Sequence, residues 1–473
     1  MKIFYKLSIV IILFALLSIP DNNNAIHLSE KENLTINSKW WGKFAQNLVK
    51  FRITPSQNQD YQYKKHRALL VQKLDILLLD LADPNDQILD SISFHINKMS
   101  ALASLVPGTI KEFEQDVASW RKLLKYQSRY WDTSSDYANA RRSKFIVESR
   151  LAFESALIQS NTSSSKFSTS KKSTSSHSKK VNGIAFESGD IIAYNLKTDK
   201  DPYTPYIKEL PNLHKHLGSV YINDTVASVI YIDLAKGLTI IGLDAFMSLA
   251  PNGIALRLRD DLPDILRNPL LPSMAANNIR KMALSNAYKY DYSFNSDNHD
   301  YLYDWEIIDL ALRNQGLTVN MDMYRRNSAS MYVGHRNSHI TPSEIEIDHR
   351  FSLVGEWYNS DLLYKNRLIT ATTAAMLDHQ DKSSFINPIL LPGYRFLKAY
   401  SMLMGAFGFH EPIPAGITAQ TQLVINTLET KRNKLVIQLG DELLAYEKTR
   451  NHRATYLKII QKADEIVFAQ TND

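Results

Sequence analysis

The 473-residue chain contains no cysteine, which excludes disulfides, a lipidated cysteine, thiolate metal ligands and thiol nucleophiles together. Glycine and proline number only 16 each, too few for a collagen-like or low-complexity polymer. Beyond Leu17 no apolar run is long enough to span a bilayer. The chain also has no glycine-rich phosphate loop, no His-Glu-x-x-His pair and no nucleophile elbow, so the commonest nucleotide, zinc-protease and serine-hydrolase signatures are missing.

What remains is an ordinary globular composition, 44% hydrophobic and 22% charged, on a chain long enough for two or three cores. Lys2 and Lys6 precede the apolar run Ile9 to Leu17, and Pro20 and the polar stretch Asp21 to Asn24 follow. That order is a secretory signal, with Ala25 as a cleavage point, so residues 1–25 are expected to direct export to the periplasm or the medium. Uncleaved, the same segment would provide the only contact with a membrane. The net charge of +6 has a local origin. Residues 1–25 hold two Lys and one Asp, which accounts for one unit, and Lys166, Lys171, Lys172, Lys179 and Lys180 account for the other five. The remainder is near neutral, and no nucleic-acid groove is implied.

The spacing of Leu70, Leu74, Leu77, Leu78 and Leu81, and that of Ile110, Phe113, Val117, Trp120 and Leu124, predicts helical faces within a helical domain over 37–158. Residues 159–181 are almost entirely Ser, Thr and Lys and read as a solvated linker between domains. From Gly183 the texture changes to short Ile-, Val- and Tyr-rich runs. Ile191–Tyr194, Ser219–Ile222, Ala227–Asp233, Leu238–Ile241 and Ile254–Leu258, with turns at Asn223-Asp224 and Lys236-Gly237, predict a compact sheet within 182–357. Helical signals cover Trp305–Leu312 and return in the C-terminal region 358–473, at Leu428, Leu435, Leu439, Leu443 and Tyr446. Met402, Met404, Phe407 and Phe409 read as core. The fold class is α+β.

Seven segments then occur in a telling order. Gly189-Asp190-Ile191-Ile192 is followed by His216-Leu217-Gly218-Ser219-Val220-Tyr221-Ile222 and by Val229-Ile230-Tyr231-Ile232-Asp233. Tyr290-Asp291-Tyr292-Ser293-Phe294 and Tyr303-Asp304-Trp305-Glu306-Ile307 come next, and then Ile340-Thr341-Pro342-Ser343 with Phe351-Ser352-Leu353-Val354. This series resembles the circularly permuted branch of the NlpC-type papain-like hydrolases, which includes the YiiX-like and lecithin:retinol acyltransferase-like groups. The resemblance implies a permuted papain-like central domain with an antiparallel sheet, flanked by helical regions it does not cover. It also implies His216 as the base, Asp304 in the place of the nucleophilic cysteine, and Asp233 as the group that orients the imidazole, although an ungapped match sets Ile232 there. Glu306 matches a family glutamate and reads as helix-stabilising. Asp190 reads as a turn residue and His214 as a surface or satisfied histidine.

A thiolate at a helix start attacks carbonyl carbon readily, whereas a carboxylate is a weak nucleophile that would form a high-energy anhydride. Asp304 is better suited to capping its helix and pairing with a protonated His216. Three other readings stay open. Asp304 and His216 can act as base and acid on water. His214, His216 and Asp304, with Glu306, can hold a metal, since alternation along a strand puts both rings of a His-x-His on one face. Ser293 can replace the lost thiol. His335 and His339 lack the acidic partner that a metal motif needs. No cofactor is expected.

The leading expectation is therefore an exported, non-catalytic binding or scaffold protein whose ligands, by the resemblance, are peptidoglycan-type peptides or acylated envelope molecules. The alternatives are an amide or ester hydrolase using His216 and Asp304, and an interaction protein acting through its helical flanks.

Overall fold

The computed structural model describes residues 58–106, 108–132, 135–160, 162–168, 178–197, 206–207, 213–224, 226–233, 236–285, 288–291, 301–317, 328–329, 341–379, parts of 392–400, 419–450 and 452–471. The signal segment, Tyr292–Phe294, His335, His339 and the Met402–Phe409 group lie outside the described residues.

Four helices come first: α1 (Gln59–Leu79), α2 (Gln87–Ala103), α3 (Ile110–Gln127) and α4 (Asp136–Gln159). Their starts are set by local chemistry. The Asp86 side chain accepts the Ile88 N–H at 2.9 Å and the Ser135 hydroxyl accepts the Ala138 N–H at 3.3 Å, each satisfying a donor that a helix start leaves unpaired. The apolar stripe on α3 is buried throughout, from Ile110 to Leu124. On α1 the stripe is narrower than its spacing predicts. Leu70 and Leu77 are buried, but Leu78 faces solvent because α2 and α3 cover only one side of the helix, and Leu81 is exposed beyond its end.

The strands are β1 (Ser164–Ser168), β2 (Ser178–Val181), β3 (Ile184–Glu187), β4 (Ile191–Asn195), β5 (Tyr206–Ile207), β6 (His216–Ile222), β7 (Ala227–Asp233) and β8 (Gly237–Gly242). After helix α5 (Leu243–Leu249) come β9 (Asn252–Leu258), α6 (Pro263–Arg267), α7 (Leu271–Ser285), β10 (Lys289–Tyr290), β11 (Tyr301–Leu302) and α8 (Asp304–Arg313). The chain continues through β12 (Ser328–Ala329), α9 (Pro342–Ile347), β13 (Phe351–Asn359), α10 (Ser360–His379), α11 (Ala419–Arg450) and α12 (Tyr456–Thr471). Seven strands form one antiparallel sheet in the order β1-β13-β9-β4-β6-β7-β8. The fold is mixed α+β.

Both faces of the sheet are covered, which is why its central strands read as nearly continuous apolar runs. Ile192, Tyr194, Val220, Val229, Tyr231 and Trp357 pack under α5 and the β2–β3 hairpin. Ile191, Leu217, Ile230, Ile254, Leu256 and Tyr358 join a single core that runs on through α1–α4 and out to α10–α12. Gly189 turns the chain into β4 at φ +98°, and a Cβ there would lie 2.5 Å from the Pro272 backbone of α7, so only glycine fits. Asp190 secures the same turn. Its carboxylate accepts from Glu187 N–H at 2.8 Å and from Arg257 of β9 at 2.6 and 2.8 Å.

Two expectations about domain organisation are overturned. Residues 159–181 are not merely a solvated linker, because Ser164–Ser168 pairs with β13 as an edge strand of the main sheet and Ser178–Val181 forms a hairpin with β3. The Ser165 hydroxyl also donates to buried Glu114 on α3. Ser and Thr read as unstructured by composition, but an edge strand requires burial on one face only, and Ser165 and Phe167 supply it.

Nor are the helical regions separate from the centre. Arg121 of α3 holds Glu356 of β13 in a bidentate pair at 2.5 Å and reaches Glu346 of α9 at 3.3 Å. Arg150 of α4 also binds Glu346, and it donates to Glu154 at 3.0 Å. Arg367 of α10 completes the set with two 2.7 Å bonds to Glu154. Three arginines and three glutamates, all essentially inaccessible, thus balance one another where the three parts of the chain meet.

Candidate functional site

α8 packs against β6, and its first residue meets the first residue of that strand. His216 Nδ1 lies 3.8 Å from Asp304 Oδ2, with both side chains under a tenth exposed. The separation is too long for a direct hydrogen bond and suits an ion pair when the imidazole carries a proton. The other side of the ring rests on Tyr194, its register partner on β4, at 5.4 Å between centroids and 32° between planes. The two residues that sequence reasoning set at the centre of the site are therefore adjacent in space.

Asp304 is the first helical residue and Tyr303 occupies the cap position, which corrects the expectation that Asp304 caps the helix. Glu306 fulfils that role, accepting the Tyr303 N–H at 3.3 Å. Asp304 in the first turn is still favoured by the helix dipole. Burial, opposed in part by the Tyr303 bond and reinforced by Asp291 and Asp309, pushes the Glu306 carboxyl up to about 8. Because the folded protein holds this proton more tightly than the free side chain (4.5) does, Glu306 removes stability as pH rises from about 4.5 to about 8. Glu306→Gln keeps an acceptor for Tyr303 and lacks the charge. Urea unfolding is expected to show the variant gaining on the wild type between pH 5 and pH 8.5.

Asp233 ends β7. The β6–β7 register pairs Gly218 with Tyr231, and continued by two residues it sets Asp233 across from His216. The same register sets Ile232 across from Leu217, in the apolar core. Of the two candidates for the orienting position, Asp233 alone is polar. Its Oδ1 accepts the Lys236 N–H at 2.9 Å, so it also shapes the β7–β8 turn.

His214 does not join this group, and the metal set of His214, His216 and Asp304 is overturned. Leu213–Lys215 precede β6, so strand alternation does not align the two rings. His214 is completely buried beside Arg150, Arg367 and Arg121, and neither of its nitrogens has a hydrogen-bond partner among the described residues. Burial and those three cations hold its pKa well below the usual imidazole value. A further cation is unwelcome there. It is not a surface or satisfied histidine either. Among the described residues no group of three or more His, Asp or Glu is placed to hold a metal ion. Ser293 lies outside the described residues.

No protein-family model matches the chain, and neither a curated protein nor a solved structure matches it. Among the described residues no helix is long and apolar enough to cross a membrane.

Proposed function

We propose that the central region is a permuted papain-like domain retaining the geometry of a catalytic dyad without its nucleophile, and that it serves an exported protein as a binding or scaffold module. The observation that carries this reading is the 3.8 Å approach of His216 Nδ1 to Asp304 Oδ2, from a strand start to a helix start. The antiparallel order β9-β4-β6-β7-β8 and the packing of α8 on β6 support it as well. A buried Asp–His pair is chemically quiet toward amides and esters, because the carboxylate is a poor nucleophile and the mixed anhydride it would form is high in energy. By the resemblance, the ligands are peptidoglycan-type peptides or acylated envelope molecules, met after export.

The test assays the full chain beside Asp304→Cys on amide and ester substrates. The wild type is expected to be inert, and the cysteine variant to acquire turnover that disappears in the Asp304→Cys/His216→Ala double variant, since a thiol at that helix start is activated by the dipole and the imidazole. Hydrolysis by the wild type, lost in both His216→Ala and Asp304→Ala, would instead establish the acid/base reading. Sedimentation with cell-wall material, abolished by a bulky Tyr194 or His216 variant, tests binding. Deleting the central region is not a usable control, because it would open the core shared with the helices.

A further inference from the structure

On the far side of the helical region, His66 of α1 and His95 of α2 face each other with 3.0 Å between their Nδ1 atoms. Their ring centroids are 5.3 Å apart. Two imidazoles joined nitrogen to nitrogen in a line have that separation, the N···N distance plus one ring radius at each end. The lone pairs therefore aim at each other and not at a shared third point, which makes the pair a proton-sharing contact and not a chelate. One ring donates its Nδ1–H and the other accepts. If both Nδ1 atoms carry protons, two N–H groups confront each other and the bond is lost.

The surroundings sharpen the effect. His95 is buried and Phe94 packs edge-on against both rings, at 6.2 and 5.4 Å. The charges that bear on the pair are Lys65 and Lys73 from α1 and Lys98 from α2, all positive. The acids on the helices packed behind are otherwise engaged: Glu112 and Asp116 of α3 with Arg67, and Glu148 of α4 with Ser93 and Lys144. A doubly protonated pair would add two more positive charges to a contact that already lies in the field of three lysines.

We propose that His66 and His95 form an acid-operated latch, which holds α1 on α2 while they share one proton and releases α1 when both rings become cationic. Release would uncover the buried side of α1, with Tyr63, Leu70 and Leu77, and the α2 surface beneath it. The sign agrees with the electrostatics. Burial and the neighbouring cations depress both imidazoles, His95 to about 4, so the closed state is stable above the ordinary value of 6.5 and loses stability as pH falls toward 4. The latch is independent of any role for His216 and Asp304.

Hydrogen exchange on the full chain, corrected for the intrinsic pH dependence of exchange, tests this. Between pH 7 and pH 4.5 the amides of α1 are expected to lose protection about tenfold or more while those of β4, β6 and β9 keep theirs. The His66→Gln/His95→Gln double variant, measured first at pH 7 to establish that the fold is retained, should lose that selective response, because glutamine hydrogen-bonds without titrating. Equal protection of α1 at both pH values in the wild type would overturn the proposal. So would a selective response that survives in the double glutamine variant.

Discussion

Glu356→Ala is expected to cost the protein about 3–5 kcal/mol of unfolding free energy, because it strands a buried arginine. In the wild type Arg121 spends one amino group on both oxygens of Glu356, and Tyr358 donates to the same carboxylate at 2.8 Å. Without it, Arg121 keeps only the 3.3 Å contact to Glu346, which Arg150 already shares. The penalty is the desolvation of an uncompensated guanidinium and not the intrinsic worth of an ion pair. It follows that a double variant, Arg121→Met with Glu356→Leu, should recover much of the loss. Urea unfolding of the wild type, Arg121→Met, Glu356→Leu and the double variant gives the coupling energy directly. A Glu356→Ala loss under about 1 kcal/mol would place this lattice among the weakly contributing surface pairs.

His214→Leu is expected to do the reverse and stabilise the fold by about 1–3 kcal/mol, the scale of a relieved unsatisfied polar group. The imidazole is fully buried with two unbonded nitrogens beside three arginines, and leucine fills a similar volume with no polar atom. The gain should widen in acid. His214 resists protonation in the folded state, so the wild type loses stability as pH falls below the unfolded imidazole value of 6.5, whereas the leucine variant has no such dependence. Chemical denaturation at pH 8 and pH 5 separates the two effects. A destabilised leucine variant would mean that the ring is bonded through an ordered water and contributes to the lattice.

Five of the seven strands of the sheet, β4 and β6 to β9, were legible in the sequence because they are short, apolar and bounded by real turns. Ala227–Asp233 coincides with β7, and the others agree to within a few residues. The proximity of His216 and Asp304 was legible only through motif order, since the 87 intervening positions carry no local signal of contact. The lattice of charges was not read, although one sign of it was present. Arg121 falls four residues after Val117 and three before Leu124, on the apolar stripe of α3, where a solvated charge has no place. Its partners lie over two hundred residues away, and nothing short of the fold identifies them. The Ser-rich tract misled for a different reason. Composition measures how much apolar surface a segment can bury, whereas β1 is held by backbone pairing to β13, which any side chain permits.

That pairing has a consequence for the order in which the molecule can be built. β1 and β13 are the first and last strands of the sheet and lie side by side. A chain emerging from its N-terminus makes β1 and Arg121 early and must then wait for residues 346–359 before either finds its partners. Until then one edge of the sheet is incomplete and a guanidinium has no carboxylate to accompany it into the core. Such long-range closure slows folding and leaves little reward for partial structures. The helix that carries Arg121, though among the first made, thereby gains its carboxylate partners only when the last strand is in place.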